Sequence, residues 1–234
     1  MTAAPLPRRL LAEYLGSALL AAIVIGSGIM ATTLTPDVGV QLLINAIATA
    51  LGLTVLILVF GPVGGAHLNP AVTLAIATLG GLRWRDAPAY VATQVAGCAS
   101  GAVLANAMFA LPAVTISTTE RATAATLLAE VVAAAGLVLV ILALVRSNRL
   151  DWVAAAVGAY IGSAYFFTAS TSFANPAITI GRMLSDTFAG IAPASAPGFI
   201  AAQLLGAAIA VGLAVLLYPR TVTVVADSQR GSSG

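Results

Sequence analysis

Two tripeptides, Asn69-Pro70-Ala71 and Asn175-Pro176-Ala177, carry the side chains of this sequence best suited to act on another molecule. Asparagine is a favoured helix N-cap, because its side-chain oxygen accepts a backbone N–H of the first turn, and proline at the next position forfeits no intrahelical bond. The capping amide keeps its NH2 group as a donor. One such triplet marks little more than a helix start, but two at matched places of a repeat are a strong signal. The other candidates are Glu13 and Glu130, carboxylates inside apolar runs, and His67, the one histidine. An ionisable group in such a run is a functional candidate by default, here either a proton relay or a structural acceptor, and the symmetric placement of the two glutamates favours the second. His67 is either a titrating gate or a loop residue hydrogen-bonded to backbone. The apolar runs hold no His/Asp pair and no metal-ligand cluster, so neither catalysis nor a metal or other cofactor is expected.

The elements that hold these residues must lie in lipid. Of the 234 residues, 60% are hydrophobic and 8% charged, with a mean hydropathy of +1.03, beyond what a water-soluble domain tolerates. Apolar runs long enough for a hydrocarbon layer of ~30 Å extend from Leu10 to Thr33, Gln41 to Phe60, Ala87 to Phe109, Ala122 to Val145, Trp152 to Thr171 and Gly198 to Tyr218. They lack the period-two alternation of barrel strands, so the fold class is all-α, with six transmembrane helices. The first run reads as a span and not as a removable signal peptide. Cys98, the one cysteine, reads as packing, and Gly97, Gly101 and Gly206 as close helix contacts. Trp84 and Trp152 read as interfacial anchors, and the terminal Gly231-Ser232-Ser233-Gly234 as flexible tail. With the N-terminus in the cytoplasm, Arg8, Arg9, Arg83, Arg85, Arg146, Arg149, Arg220 and Arg230 fall inside and only Arg121 and Arg182 outside. Both termini are therefore expected to be cytoplasmic. The net charge of +2 follows from that bias and gives no reason to expect nucleic acid as a partner.

Three landmarks recur in the same order: Glu13 with Glu130, Asn69 with Asn175, and Gln94 before Gly97 with Gln203 before Gly206. Residues 1–111 and 112–220 are read as tandem repeats of three spans each, with 221–234 as a tail. An odd number of spans per repeat forces the second to enter from the opposite face, so the repeat is an inverted 3+3. After each Asn a short apolar stretch, Pro70 to Leu79 and Pro176 to about Ser185, covers roughly half of the hydrocarbon layer. These are read as two re-entrant half-helices whose N-termini meet near the midplane, where irregular backbone is tolerated because it lines a cavity.

Gly64-Gly65-Ala66-His67-Leu68-Asn69-Pro70-Ala71-Val72-Thr73 and Ser172-Phe173-Ala174-Asn175-Pro176-Ala177, with the paired glutamates and Gln-x-x-Gly positions, resemble the double signature of the aquaporin superfamily over the whole membrane-embedded chain. The resemblance implies homotetramers with a pore in each protomer, and loop backbone pinned by Glu13 and Glu130. The facing helix ends would oppose cations, and free carbonyls of the loops Gly64, Gly65, Ala66, His67, Leu68 and Ala169, Ser170, Thr171 onward would form an acceptor ladder. Matched by position, the constriction that sets selectivity in that family falls on Leu51, Ser163, Ser172 and Ile178, although the connection before Leu51 is two residues shorter than is common. Ile178 stands where the family carries arginine, so the ring reads as wide, uncharged and half apolar. Arg182 is one turn further along and reads as outer vestibule, either lining it or paired with Asp186. With Ser-Asp-Thr-Phe following, this stretch is similar to a bacterial branch associated with arsenic resistance. What the resemblance implies is a passive channel in a bacterial inner membrane for small neutral solutes: arsenite-like metalloid hydroxides and glycerol-type polyols, with water as a co-permeant. A water-selective channel, a proton-coupled transporter and a closed adhesive protein are the alternatives.

Overall fold

The computed structural model describes residues 4–219, so Arg220, Arg230 and the tail 221–234 lie outside the described residues. In chain order the helices are α1 (Leu6–Leu34), α2 (Val38–Gly64), α3 (Pro70–Thr78), α4 (Ala87–Met108), α5 (Ala124–Arg146), α6 (Val153–Phe167), α7 (Pro176–Arg182) and α8 (Ala196–Leu217). Counting the 3-10 turns that lead into α4 and α6, six are long and apolar enough to cross a membrane. The chain is a multi-pass, all-helical membrane protein. Alanine- and leucine-rich composition favours these helices, and their prolines are placed where they do least harm. Each of α1, α3, α4, α7 and α8 carries one in its first turn, where no intrahelical N–H is lost. Pro62 lies inside α2 close to its end, and the helix stops at Gly65, whose φ of 91° is the left-handed conformation glycine supplies.

The half-helices differ in length. α3 ends one residue short of the expected Leu79, whereas α7 stops at Arg182 and not near Ser185. The cause is a competing set of bonds: the carbonyls of Met183 and Leu184 accept Ser117 N (2.9 Å) and Thr115 N (3.1 Å), which pull the chain out of helix. α6 also ends before the expected Thr171. Thr168 is extended and leaves the helix, and residues 169–174 follow as a turn and irregular backbone with positive φ at Thr171, Ser172 and Ala174.

α1 packs along α4, and α5 along α8, as corresponding pairs. Both contacts depend on glycine. A Cβ on Gly97 or Gly101 of α4 would land on the carbonyl oxygens of Tyr14 and Ala18, and one on Gly206 of α8 on that of Val131. In lipid, where apolar burial between helices gains little, such backbone proximity is what holds helices together. α2 shows how one helix serves two media. Leu43, Ile47, Leu51, Val55 and Leu58 form an exposed stripe, while Asn45, Thr49, Leu53 and Leu56 form a buried one.

Gly101→Ala is expected to lower stability by about 1–3 kcal/mol, the usual cost of overpacking, because the obstructing atom is backbone and cannot rotate away. The midpoint of thermal unfolding in detergent checks this, with Gly212→Ala on α8 as the control, since no atom lies within 4 Å of a Cβ at that position.

Candidate functional site

The sequence placed asparagine ahead of proline at both half-helices, and each caps as its chemistry dictates. Asn69 Oδ1 accepts Ala71 N at 2.9 Å, and Asn175 Oδ1 accepts Ala177 N at 2.9 Å and Ile178 N at 3.3 Å. The two caps are then tied to each other. Asn69 Nδ2 donates to Ala174 O and Asn175 Nδ2 to Leu68 O, both at 2.8 Å, so each amide grips the residue just before the opposite triplet. The amides are therefore not wholly free, as the cap alone implied: one N–H of each is engaged and one is left for the cavity. Leu68 O and Ala174 O, expected as rungs of an acceptor ladder, are taken up by these bonds.

Reaching that geometry forces unusual backbone. Ala66 and Leu68 have φ of 47° and 50°, and Ser172 and Ala174 have 54° and 48°, so positions three and one before each Asn are left-handed in both loops. Non-glycine residues there cost of order 1 kcal/mol each and persist only when their surroundings hold them. The glutamates supply the hold. Glu13 accepts His67 N (2.8 Å), Leu68 N (2.7 Å) and Gln94 Nε2 (2.8 Å), and Glu130 accepts Phe173 N (2.9 Å), Ala174 N (2.8 Å) and Gln203 Nε2 (2.6 Å). Each glutamine also donates to a threonine hydroxyl four residues past the Asn, Thr73 at 2.8 Å and Thr179 at 3.0 Å. These threonines were not singled out from the sequence, although their matched offset from the two asparagines was there to be read.

Asn69 and Asn175 line one cavity, with about 60 Å³ open to the centres of water-sized molecules. At about 10–15 Å³ per water on that measure, it holds a few molecules in file. One wall is aliphatic, built from Leu20, Val24, Leu53, Leu137, Val157 and Ile161 among others. The other wall is loop and half-helix: Ala66, His67, Leu68, Ser172, Phe173 and Ile178. His67 takes part through ring and backbone, its Nδ1 lying 3.2 Å from Thr73 Oγ1. Gly64, Gly65, Ala169 and Ser170 lie off this wall. Gly64 O accepts the Tyr90 hydroxyl at 3.0 Å, and Ser170 Oγ accepts Ser172 N at 3.2 Å. Thr171 lines a second cavity further out, of about 210 Å³, together with Val38, Leu42, Asn45, Arg121 and Phe188. Arg182 lines both cavities and marks their junction.

Three expectations about the constriction are corrected. Leu51 is 65% exposed on the lipid stripe of α2, and Thr49 faces the cavity in its place. Ser163 is exposed, its hydroxyl bonded to Tyr160 O of its own helix at 2.8 Å, and Tyr165 faces the cavity. Both matches were two residues out of register, about 200° around a helix, which exchanges the inner and outer faces. Thr49 Oγ1 and Tyr165 Oη are 3.0 Å apart, so the true positions meet where the matched ones do not. The third correction concerns charge. Arg182 is 3% exposed, and its guanidinium carbon sits 3.4 Å from the Phe173 ring centroid while Nε donates to Ala189 O. It does not pair with Asp186, because α7 ends at Arg182 and the i,i+4 relation does not exist; Asp186 accepts Thr118 N at 2.9 Å. The ring around Ile178 thus contains a guanidinium that the residue type at Ile178 does not announce. Arg121, in the loop before α5, braces the same region through Gly190 O (2.6 Å) and Phe188 O (2.9 Å), and burial holds its guanidinium below the usual arginine value.

Comparison with known proteins follows the same lines. The family model for major intrinsic protein matches residues 1–169. The chain is 51% identical over 210 residues to aquaglyceroporin AqpS of Rhizobium meliloti (strain 1021), covering 89% of each sequence. It is 40% identical over 104 residues to aquaporin NIP1-3 of Oryza sativa subsp. japonica, covering 44% of this chain and 35% of that one. The crystal structure of the aquaglyceroporin from Plasmodium falciparum superposes with a TM-score of 0.69 at 22% identity, covering 94% of this chain and 98% of the other, a likeness of fold.

Replacing Glu130 by glutamine sets an NH2 group against donors, leaving at least one of Phe173 N, Ala174 N or Gln203 Nε2 unpaired in a dry site. Glu130→Gln is expected to cost about 1–3 kcal/mol, and Glu13→Gln a similar amount, each read as a lowered unfolding midpoint in detergent.

Proposed function

This chain belongs to the major intrinsic protein family, and on that premise we propose that it is a passive channel for small neutral solutes of the glycerol class. The observation that carries the reading is the reciprocal Asn69–Ala174 and Asn175–Leu68 bonding, which brings both amides to one cavity. A polyol has hydroxyls along one edge and C–H groups along the other. The cavity has the matching two walls, donors on the loop side and aliphatic side chains opposite, so such a solute replaces its water contacts without leaving hydroxyls unpaired.

Cations face a different balance. Helix ends, with first-turn N–H groups turned to the centre, present partial positive charge, Arg182 adds a full one, and the cavity lining includes no carboxylate. The buried carboxylates Glu13 and Glu130 stand behind the loops with their oxygens engaged, an arrangement suited to pinning backbone and unsuited to a proton relay. Glycerol-like metalloid hydroxides such as arsenious acid, neutral near pH 7, fit the same description, and water accompanies them. In this reading Thr49, Tyr165, Ser172, Ile178 and Arg182 form the selective ring, residues 1–111 and 112–220 are the inverted repeats, and the protein works as a homotetramer in a bacterial inner membrane with both termini cytoplasmic.

Stopped-flow light scattering on proteoliposomes tests the reading. Glycerol permeability is expected to exceed that of protein-free vesicles and to be indifferent to an imposed proton gradient; a flux that follows the gradient would exclude a passive channel. Thr49→Trp should cut glycerol permeability about tenfold or more by filling the ring, whereas Leu51→Trp, on the lipid stripe, should leave it unchanged.

A further inference from the structure

Arg121 and Arg182 share a feature that the passage of neutral solutes does not use. Both guanidinium carbons sit over the same Phe173 ring, at 5.5 Å and 3.4 Å from its centroid, and both side chains line the outer cavity. Neither forms an ion pair among the described residues, where the salt bridges all converge on Asp86 at the N-terminal face. Asp186 is bonded to Thr118, Glu120 is exposed, and Glu130, whose field reaches Arg182, already accepts two loop N–H groups and Gln203. The carbonyls of residues 188–190 occupy Arg121 Nε and Nη2 and Arg182 Nε. Among the described residues, both terminal nitrogens of Arg182 and Nη1 of Arg121 donate to no acceptor. On the wall of the inner cavity, which Arg182 also lines, Ser172 Oγ is buried with no hydrogen-bond partner among the described residues.

Two like charges held close in a partly dry cavity, with donors left over, are an arrangement that an anion relieves. We propose that the outer cavity is a binding site for a small, singly charged oxyanion, gripped by the free N–H groups of Arg121 and Arg182. Its volume of about 210 Å³ admits a planar or tetrahedral anion with part of its hydration. Beyond Arg182 the wall turns aliphatic, and a full charge stripped of water there has a large desolvation penalty. The anion therefore stops at the junction, and a bound anion obstructs the entry of neutral solutes from that face.

Nitrate, which stays ionised at any working pH, is the probe. Calorimetric titration of nitrate into the full chain in nanodiscs of neutral lipid is expected to show saturable binding, with gluconate at matched ionic strength giving none. In proteoliposomes with nitrate on both sides, glycerol permeability should fall about tenfold at roughly ten times the measured Kd. Thr171→Asp is the discriminating variant. Thr171 lines the same cavity at a φ of 60°, a conformation that aspartate adopts more readily than a β-branched residue, so folding is preserved while a carboxylate is set beside the arginines. It should abolish both the binding heat and the nitrate effect. No heat with the natural chain, undiminished binding in Thr171→Asp, or nitrate that itself crosses the membrane would each overturn the proposal. The obstruction arm rests on the channel reading and the binding arm does not: nitrate binding lost in Thr171→Asp, in a chain that passes no glycerol, upholds the site and removes the channel.

Discussion

A backbone N–H inside the hydrocarbon layer has no water to donate to, and a helix is the only single-segment answer. Residues 65–69 and 168–175 are not helical, yet they reach the centre of the bundle. What makes them tolerable is a carboxylate buried behind each loop, Glu13 and Glu130, accepting the N–H groups of the two residues before the asparagine. Remove that acceptor and the left-handed residues at 66, 68, 172 and 174 have nothing to hold them against their own steric preference. The asparagine caps, the meeting of the half-helices and the cavity they line all stand on this pair of side chains.

The same demand explains the polar residues that surround the glutamates. Gln94 and Gln203 each bridge a carboxylate to a threonine on a half-helix, so loop, half-helix and a spanning helix are joined in one network around each glutamate. Cooperative networks of this kind rigidify because every member needs its neighbours. Close packing closes the arrangement from outside. Gly181 in α7 lies against the Cys98 carbonyl of α4, with 2.8 Å from a would-be Cβ to that oxygen, so the half-helix is seated on backbone.

Function follows from the division of the cavity into two chemistries. The network fixes one wall of amide and hydroxyl donors, and the spanning helices supply an opposing aliphatic wall. A neutral polyol meets both, a cation is repelled by fixed positive charge, and an anion is welcomed at the arginines and refused by the aliphatic stretch beyond them.

Much of this was legible in residue order. Apolar length required helices, the Glu, Asn and Gln positions matched in order have matching bonds in the structure, and Asn-Pro-Ala specified how each half-helix begins, because capping is a local property of three or four residues. Facing was not local. Whether Thr49 or Leu51, and Tyr165 or Ser163, turns inward depends on a rotation of about 200°, which a loop two residues shorter changes without altering hydrophobicity, since lipid and core both accept apolar side chains. Arg182 lines the outer cavity, one of the two readings it allowed, but its pairing with Asp186 was inferred by extending a helix that contacts with Thr115 and Ser117 cut short. The free donors of Arg121 and Arg182 came into view only with the fold, because 61 residues of chain separate two side chains that share one aromatic ring. Local chemistry decided what each segment is; the packing of distant segments decided which atoms were left without partners.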